Sequence, residues 1–424
     1  MLTPSCANPK NGLKRCYPKS AEKELGLLRV IHKNDQVSRI DLVERTGFSA
    51  GSITGMVQSL ISKGLVTELP VTARLSASGR RPVGLKVRHD AAYLVGVDLG
   101  SFYLRTLVTD MLGNVVHKIQ IETNLPAGRE QVLHKTFEAI RTVMRDCGVP
   151  RKSIRGIGLG HSGIIDSLTG TVLSFPRPGQ MTEWKNVPLR EMIVHEFSLP
   201  CILEDSVRAI ALAERCYGMG RRLTDFVYID VGMGIGAGIV LDGKLYKGFG
   251  GGAGEFGHMT VEENGPLCCC GNNGCLEMMA SCAAIMRATR NAIEQGVDSK
   301  IRELVMEDFR QLSIEVIAQA ARENDSLAFR VLDEAVSHIG VALADLVNLL
   351  NPGVVIFGGP LFRTAPYLLE ALKRVLKQRA LERSANQTQL CVSNLGSEAG
   401  ALGAARAASE KVIEHLYREA LLTS

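Results

Sequence analysis

The first 90 residues combine short apolar periods with polar breaks, a pattern that predicts three small helices and a hairpin. Apolar residues recur at helical spacing over about residues 21–33. Ser38 is placed to cap a second helix, RIDLVERT, and Ser49 to cap a third, AGSITGMVQSLISK, with glycines at the ends of both. The segments LVTEL and VGLKV then predict two strands, separated by a loop that contains SGRRP.

From about residue 92 the pattern changes to apolar strands that end at glycines. YLVGVDLG, FYLRTLVTD and VVHKIQIET predict an antiparallel meander, followed by a helix at about 129–147 and the strand IRGIGLGHSG. The same order of a strand, a glycine-rich turn and a strand returns in FVYIDVGMGIGAGIVL and KLYKGFGG. Long helices at about 313–350 then precede the buried strand VVIFGG. We therefore expect a duplicated α/β architecture with a cleft between its halves.

Three small helices followed by a two-stranded wing are typical of a winged helix-turn-helix, which we assign to residues 21–90 after an arm at 1–20. The third helix begins with small residues that allow close approach to DNA. Its candidate contacts to phosphates or base edges are Ser49, Ser52 and Thr54. Arg80 and Arg81 in the wing are suited to a narrow minor groove. A winged helix used for protein contact is the alternative.

Composition and charge support this division. With 46% hydrophobic and 22% charged residues over 424 positions, the chain is typical of a globular protein with a large core. It contains no apolar run of transmembrane length and no apolar leader, so we expect a cytoplasmic protein without membrane contact.

The charge is distributed unevenly along the chain. Residues 1–90 hold 15 Lys and Arg against 7 Asp and Glu, whereas the remainder holds 34 against 37. This basic part predicts a polyanionic partner.

A cluster of cysteines predicts a metal site. Disulfides are disfavoured in a large cytoplasmic chain, although this one has 11 cysteines. Three thiolates and one imidazole form a closed tetrahedral zinc site, which we expect to be structural and present once per chain: His258, Cys268, Cys270 and Cys275. Cys269 is left outside this set because adjacent side chains diverge. Buried cysteines without metal are the alternative, and a catalytic zinc is disfavoured because four protein ligands already fill its shell.

Several segments resemble the ROK family (repressors, open reading frames, kinases). The most specific run from GAGEFGHMT (252–260) to CCCGNNGCLEMMAS (268–281), and VDLG, DVGMGIGAGIVLDGKL, NPGVVIFGG and EAGALGAA support them. The resemblance implies the ribonuclease H-like fold of sugar kinases, actin and Hsp70. It implies a first lobe at 91–205 onto which a helix at 398–420 packs back, and a second lobe at 206–397 with a zinc loop at 258–277.

A winged helix joined to such a body resembles the repressor branch of the family. The resemblance implies double-stranded operator DNA and a small sugar effector as partners, and a homodimer or homotetramer. It also implies that Glu255, His258 and Glu277 grip sugar hydroxyls, with Asp205 where the kinases have Asn. Such carboxylates suit a neutral sugar or an amino sugar, and would repel an acidic one unless Arg208 or another basic residue offsets them. Carboxylates kept only to support the zinc loop are the alternative.

Three positions argue against kinase activity. In the kinases of this family the general base is the Asp of an Asn-Asp pair. Here the corresponding stretch is LEDSVRAIALAER, in which either Glu204-Asp205 or Asp205-Ser206 could take the place of the Asn-Asp pair. Only the second alignment matches the usual spacing of the family, and it puts Ser206 at the position of the base. Phe102 and Met233 stand where the two phosphate loops would carry threonine. We therefore expect no catalytic residue and no ATP.

Two other functions remain open from the sequence. One is an ATP-dependent sugar kinase with a fused DNA-binding domain. The other is a transcriptional regulator that is controlled by a partner protein and keeps only a degenerate sugar pocket. The main expectation is a sugar-responsive regulator, most simply a repressor, in which closure of the cleft alters the affinity for the operator.

Overall fold

The computed structural model describes residues 19–34, 36–70, 83–175 and 184–423. It divides into two compact units. The first contains the described residues up to Arg88 together with those from Ile413 onward, and the second runs from His89 to Val412. Among the described residues, no helix has the length and apolar character needed to cross a membrane.

The first unit contains three short helices and a small antiparallel sheet. Its elements are α1 (Lys19–Lys33), β1 (Val37–Ser38), α2 (Arg39–Thr46), α3 (Ala50–Ser62), β2 (Val66–Pro70) and β3 (Val83–Val87). The three predicted helices and two predicted strands are confirmed. The sequence missed β1, which pairs with β3 so that the strand order is β1-β3-β2.

The caps predicted for α2 and α3 are present. The Ser38 side chain accepts a hydrogen bond from the Asp41 backbone N–H, and the Asp41 carboxylate accepts one from the Ser38 N–H, which completes a capping box. Ser49 accepts in the same way from the Ser52 N–H. The helices bury Leu42, Ile53, Val57 and Leu60 completely.

The first sheet of the second unit has the strand order β10-β7-β4-β5-β6. The antiparallel meander predicted from the sequence forms one side of this sheet, and β4, β7 and β10 run parallel. A two-stranded hairpin, β8-β9, follows β7. The elements are β4 (Tyr93–Leu99), β5 (Tyr103–Asp110), β6 (Val115–Glu122), α4 (Arg129–Asp146), β7 (Ile154–His161), β8 (Ile164–Asp166), β9 (Thr171–Ser174), α5 (Leu189–Phe197) and β10 (Cys201–Asp205).

The second sheet repeats this arrangement, with the order β13-β12-β11-β14-β15. Its glycine-rich turn between β11 and β12 corresponds to the turn between β4 and β5. The elements that precede or form this sheet are α6 (Ser206–Tyr217), β11 (Phe226–Val231), β12 (Ile235–Leu241), β13 (Lys244–Tyr246), β14 (Val354–Gly358) and β15 (Gln389–Val392). The duplicated α/β architecture is thus confirmed.

Helices cover the second sheet and bury a large apolar core against it. The longest of them, α11, contributes more core residues than any other helix of the group. The bounds are α7 (Leu276–Ala280), α8 (Cys282–Glu294), α9 (Ile301–Leu304), α10 (Ile314–Arg322), α11 (Ser326–Leu350), α12 (Gly359–Thr364), α13 (Leu368–Arg379) and α14 (Glu382–Gln387). The last helix, α15 (Ala399–Thr423), instead packs against the first sheet, where the carbonyls of Ala401 and Ala404 lie close to Gly96 and Gly158.

Candidate functional site

A cleft of about 350 Å³ lies in the second unit, where the two glycine-rich turns face each other. Its lining includes Gly100 and Phe102 of the first turn and Gly232 and Met233 of the second. Met233 also packs against the core of the second sheet, whereas the side chain of Phe102 remains half exposed. The four predicted ligand-binding residues line the same cleft: Asp205, Glu255, His258 and Glu277.

Asp205 and Ser206 occupy the junction between β10 and α6. One oxygen of Asp205 caps α6 by accepting the Arg208 backbone N–H at 2.9 Å. Burial raises the pKa of Asp205 to about 6, although the Arg208 charge opposes the shift. The hydroxyl of Ser206 donates to Asp98 Oδ1 at 3.0 Å. Asp205 therefore combines a capping role with a place in the cleft, and the Ser206 hydroxyl is already used within the protein.

Two arginines that the sequence reasoning missed balance the buried acids of this cleft. Arg105 Nη1 lies 3.6 Å from Asp98 Oδ2. Burial raises the pKa of Asp98 to about 6 and also raises that of Asp230, and the charge of Arg105 opposes both shifts. Arg363 also lines the cleft, and its charge likewise opposes the rise in the pKa of Asp230. The hairpin register could have revealed Arg105, because it lies directly opposite Asp98 across the β4–β5 turn.

Glu255, His258 and Glu277 surround the other end of the cleft. His258 Nε2 lies 3.9 Å from Glu255 Oε2, while its Nδ1 faces the cysteines. One oxygen of Glu277 accepts the Ile235 N–H at 2.9 Å, which ties α7 to the second glycine-rich turn. Glu277 also lines the cleft. These side chains can accept and donate hydrogen bonds to several hydroxyls at once.

Arg208 is not available to neutralise an acidic ligand, contrary to the role that the sequence left open for it. Its Nε donates to Glu204 Oε1 at 2.9 Å, and its Nη1 donates to the Gly251 carbonyl. Lys247 forms a second ion pair with Glu204. Both side chains of the Arg208–Glu204 pair are almost completely buried, so removing Glu204 would leave the buried charge of Arg208 without its carboxylate.

The predicted metal ligands converge on one point. Ligand atoms of His258, Cys268, Cys270 and Cys275 all lie within 4.8 Å of one another. Cys270 Sγ is 3.6 Å from Cys275 Sγ, and Cys268 Sγ is 3.7 Å from His258 Nδ1. Zn–S bonds of about 2.3 Å in a tetrahedron place sulfurs about 3.8 Å apart, so the residues fit zinc.

The backbone of the zinc loop is built around a glycine. Gly274 has φ +65, and a Cβ there would overlap the Glu262 carbonyl. The hydrogen bond from the Cys268 N–H to the Asn272 carbonyl, at 2.7 Å, closes the turn between the first and last cysteines. Cys269 does not belong to the converging group among the described residues, as the sequence predicted.

The candidate DNA contacts lie in the first unit. Ser49, Ser52 and Thr54 are all exposed at the start of α3. The hydroxyls of Ser49 and Ser52 are 2.9 Å apart, and that of Thr54 donates to the Ala50 carbonyl at 2.9 Å. Each can still accept a hydrogen bond from a ligand or donate after a rotation. Arg80 and Arg81 lie outside the described residues.

Residues 94–411 match the ROK family. The chain belongs to the ROK family. It is 32% identical over 380 residues to a xylose repressor from Caldicellulosiruptor bescii, covering 90% of this chain and 93% of that protein. A glucokinase from Halalkalibacterium halodurans is 31% identical over 312 residues, covering 73% of this chain and 93% of the enzyme.

One solved structure resembles this protein over nearly its whole length. It is described as a ROK family transcriptional regulator, a homolog of the Escherichia coli MLC protein. The TM-score is 0.75 at 27% identity, and the match covers 95% of this chain and 98% of that one. Relatives of both kinds, regulators and kinases, therefore share the body, and the similarity to regulators extends beyond it.

Proposed function

We propose that this protein is a sugar-responsive, DNA-binding transcriptional repressor. The observation that carries the proposal is the similarity to a xylose repressor over 90% of the chain, which takes in residues outside the ROK body as well as within it. The sugar would bind in the cleft of the second unit. The first unit would bind operator DNA as a winged helix-turn-helix, with α3 as the recognition helix and β2–β3 as the wing.

The exposed face of α3 supports contact with DNA. Its first turns present small residues and hydroxyls, and the helix contains no acidic side chain. Small side chains allow a backbone to lie close to phosphates, and hydroxyls bond either phosphates or base edges. The two faces of the helix are clearly separated, because Ile53, Val57 and Leu60 are completely buried on the other side.

Replacing Ser52 with aspartate is expected to abolish operator binding. A carboxylate at the start of α3 would lie against DNA phosphates, while the fold should persist because Ser52 is exposed. Fluorescence anisotropy with labelled operator DNA would measure the loss. Ser62→Asp is the matched control, since this exposed serine lies at the opposite end of the same helix. Equal affinity of the Ser52 variant and the wild type would contradict a recognition role for α3.

Arg80 and Arg81 of the wing are expected to contribute to DNA binding through their positive charge. The double change Arg80→Ala and Arg81→Ala should weaken binding and reduce the slope of log K against log salt by about 2, because each lost phosphate contact removes roughly one unit. Anisotropy titrations at several salt concentrations would give the slope. An unchanged affinity together with an unchanged slope would remove the wing from the interface.

The cleft favours a neutral sugar or an amino sugar. Asp205, Glu255 and Glu277 all line it, and Arg208 is held by Glu204, so an acidic sugar would meet three carboxylates at this end of the cleft that Arg208 does not offset. Sugar binding would select one closure state of the two lobes and so change the spacing of the DNA-binding modules in an oligomer. A homodimer or homotetramer is proposed because two operator half-sites require two symmetric recognition helices.

Genomic fragments bound by the full-length protein provide the decisive test. Fragments would be recovered with and without D-xylose, D-glucose or N-acetyl-D-glucosamine and then sequenced. We expect a small set of fragments to be retained in the absence of sugar and released by one of the sugars. Retention of no fragment above random DNA would overturn the proposal. Retention that no sugar alters would favour control by a partner protein.

Zinc is proposed as the single structural cofactor, because its four ligands leave no open position for a substrate. We also propose that the body is not an enzyme, since Ser206 stands at the position of the base and its hydroxyl is bonded to Asp98. A sugar kinase is the second candidate, because Asp205 lines the cleft and its pKa of about 6 would suit a general base.

A further inference from the structure

A glycine-rich loop between β13 and Glu255 presents a large apolar side chain to solvent. Residues 247–254 read KGFGGGAG. The side chain of Phe249 is fully exposed, although phenylalanine is among the residues most often buried. Gly248 on one side has φ +72, and Gly251 beyond the tip has φ +80, conformations that other residues rarely adopt. The tip of the loop therefore exposes Phe249 to solvent, and the glycines on both sides of it make the backbone flexible.

The base of this loop is anchored at the rim of the cleft. Lys247 pairs with Glu204, the neighbour of Asp205 in the chain, and Arg208 donates to the Gly251 carbonyl. The Ala253 N–H donates to the Lys247 carbonyl at 3.1 Å, which closes the loop upon itself. Ala253 and the next two residues line the cleft. Gly248, Phe249, Gly250 and Gly252 take no part in these anchoring contacts.

The opposite rim carries apolar groups as well. A Cβ on Gly251 would lie 3.9 Å from Ser167 Oγ, so the loop reaches the turn between β8 and β9. Ile164 of that hairpin lines the cleft and is 40% exposed, and Leu168 in the turn is 88% exposed. The loop that carries Phe249 therefore lies between the rim of the cleft and this apolar turn.

The polar groups of the cleft leave one part of a sugar without a partner. Asp205, Glu255, His258 and Glu277 suit hydroxyls at the edge of a pyranose ring. The faces of the ring carry C–H groups, which gain from contact with an aromatic surface that excludes water. We propose that the tip of this loop, residues 248–250, forms a lid over the cleft and that Phe249 closes onto a C–H face of a bound pyranose. This role, which rests on the proposed sugar-binding function, makes Phe249 a determinant of sugar affinity.

The β-pyranose forms of D-xylose and D-glucose present C–H groups on both faces, so either face offers an apolar surface to Phe249. Calorimetry should show that the wild type binds one of these sugars. Phe249→Ala should weaken that binding by about five- to tenfold. Phe249→Trp should keep the wild-type affinity.

The control is Phe329→Ala on α11, a phenylalanine that is 65% exposed and absent from the cleft lining. This variant should bind sugars as the wild type does. If the wild type binds D-xylose or D-glucose and Phe249→Ala binds it equally well, the lid is overturned while the proposed function stands. If the wild type binds none of a full series of neutral and amino sugars, the proposed sugar response itself fails.

Proteolysis gives a second readout in the full-length protein. Exposed glycine-rich loops are preferred sites of nicking, and chymotrypsin cleaves after phenylalanine. We expect a cut after Phe249 in the free protein, absent from Phe249→Ala, and protection of this bond by a saturating sugar. Cleavage at the same rate with and without a sugar that calorimetry shows to be bound would overturn closure of the lid.

Discussion

Replacing Cys275 with alanine is expected to remove the metal ion and, with it, the response to sugar. The wild type should contain one zinc per chain, and the variant none, because three ligands would remain around an open position. His258 connects the zinc to the cleft: its Nδ1 faces the cysteines and its Nε2 faces Glu255. Loss of zinc would free this ring, and we expect the sugar affinity to fall at least about tenfold.

Elemental analysis and calorimetry would measure these two effects, with Cys269→Ser as the matched control. That neighbouring thiol lies outside the converging group, so its variant should keep one zinc and the wild-type sugar affinity. Operator binding in the absence of sugar should survive in both variants, because the first unit has its own apolar core. A metal-free wild-type protein with an intact sugar response would contradict a zinc site altogether.

Local signals were sufficient for most elements of the fold. Ser38 and Ser49 fixed the starts of α2 and α3 because each side chain caps the helix that follows it within a few residues. The two β-meanders were predictable from alternating strands and glycine turns. By contrast, β1 has only two residues and owes its existence to pairing with β3, more than 40 positions away. Such a short strand has no periodicity of its own.

The candidate site was predictable where the ligand chemistry lies within one segment. His258 and the cysteines fall within 18 positions, and their types alone indicate zinc. The charge balance of the cleft was not predictable in this way. The sequence could not show whether the Arg208 side chain faces a ligand or Glu204, because this depends on how β10 joins α6. In the structure Arg208 is buried in an ion pair with Glu204. The sequence did not indicate a role for Phe249, since a single aromatic residue in a glycine-rich loop forms no recognisable sequence pattern.

The wild-type protein is expected to bind no nucleotide, even with millimolar Mg-ATP and a saturating sugar. Loss of a base alone would leave positioning and charge stabilisation intact, so turnover is a weaker test than binding. Phe102 and Met233 replace the hydroxyls expected around phosphates, and both line the cleft. Arg105 also pairs with Asp98, which reduces the negative charge available to a magnesium ion. Calorimetry should therefore show no heat with Mg-ATP, and a coupled assay no sugar-dependent ADP.

The reversion Ser206→Asp should not restore activity by itself. Ser206 Oγ lies 3.0 Å from Asp98 Oδ1, so a carboxylate there would face Asp98, and repulsion would raise the pKa of one of the two acids. Only the triple change that also converts Phe102 and Met233 to threonine should recover activity. The Halalkalibacterium halodurans glucokinase, 31% identical, serves as the positive control in both assays. Micromolar binding of Mg-ATP by the wild type would make Asp205 the base, and the kinase would then replace the non-catalytic repressor as the better description of this body.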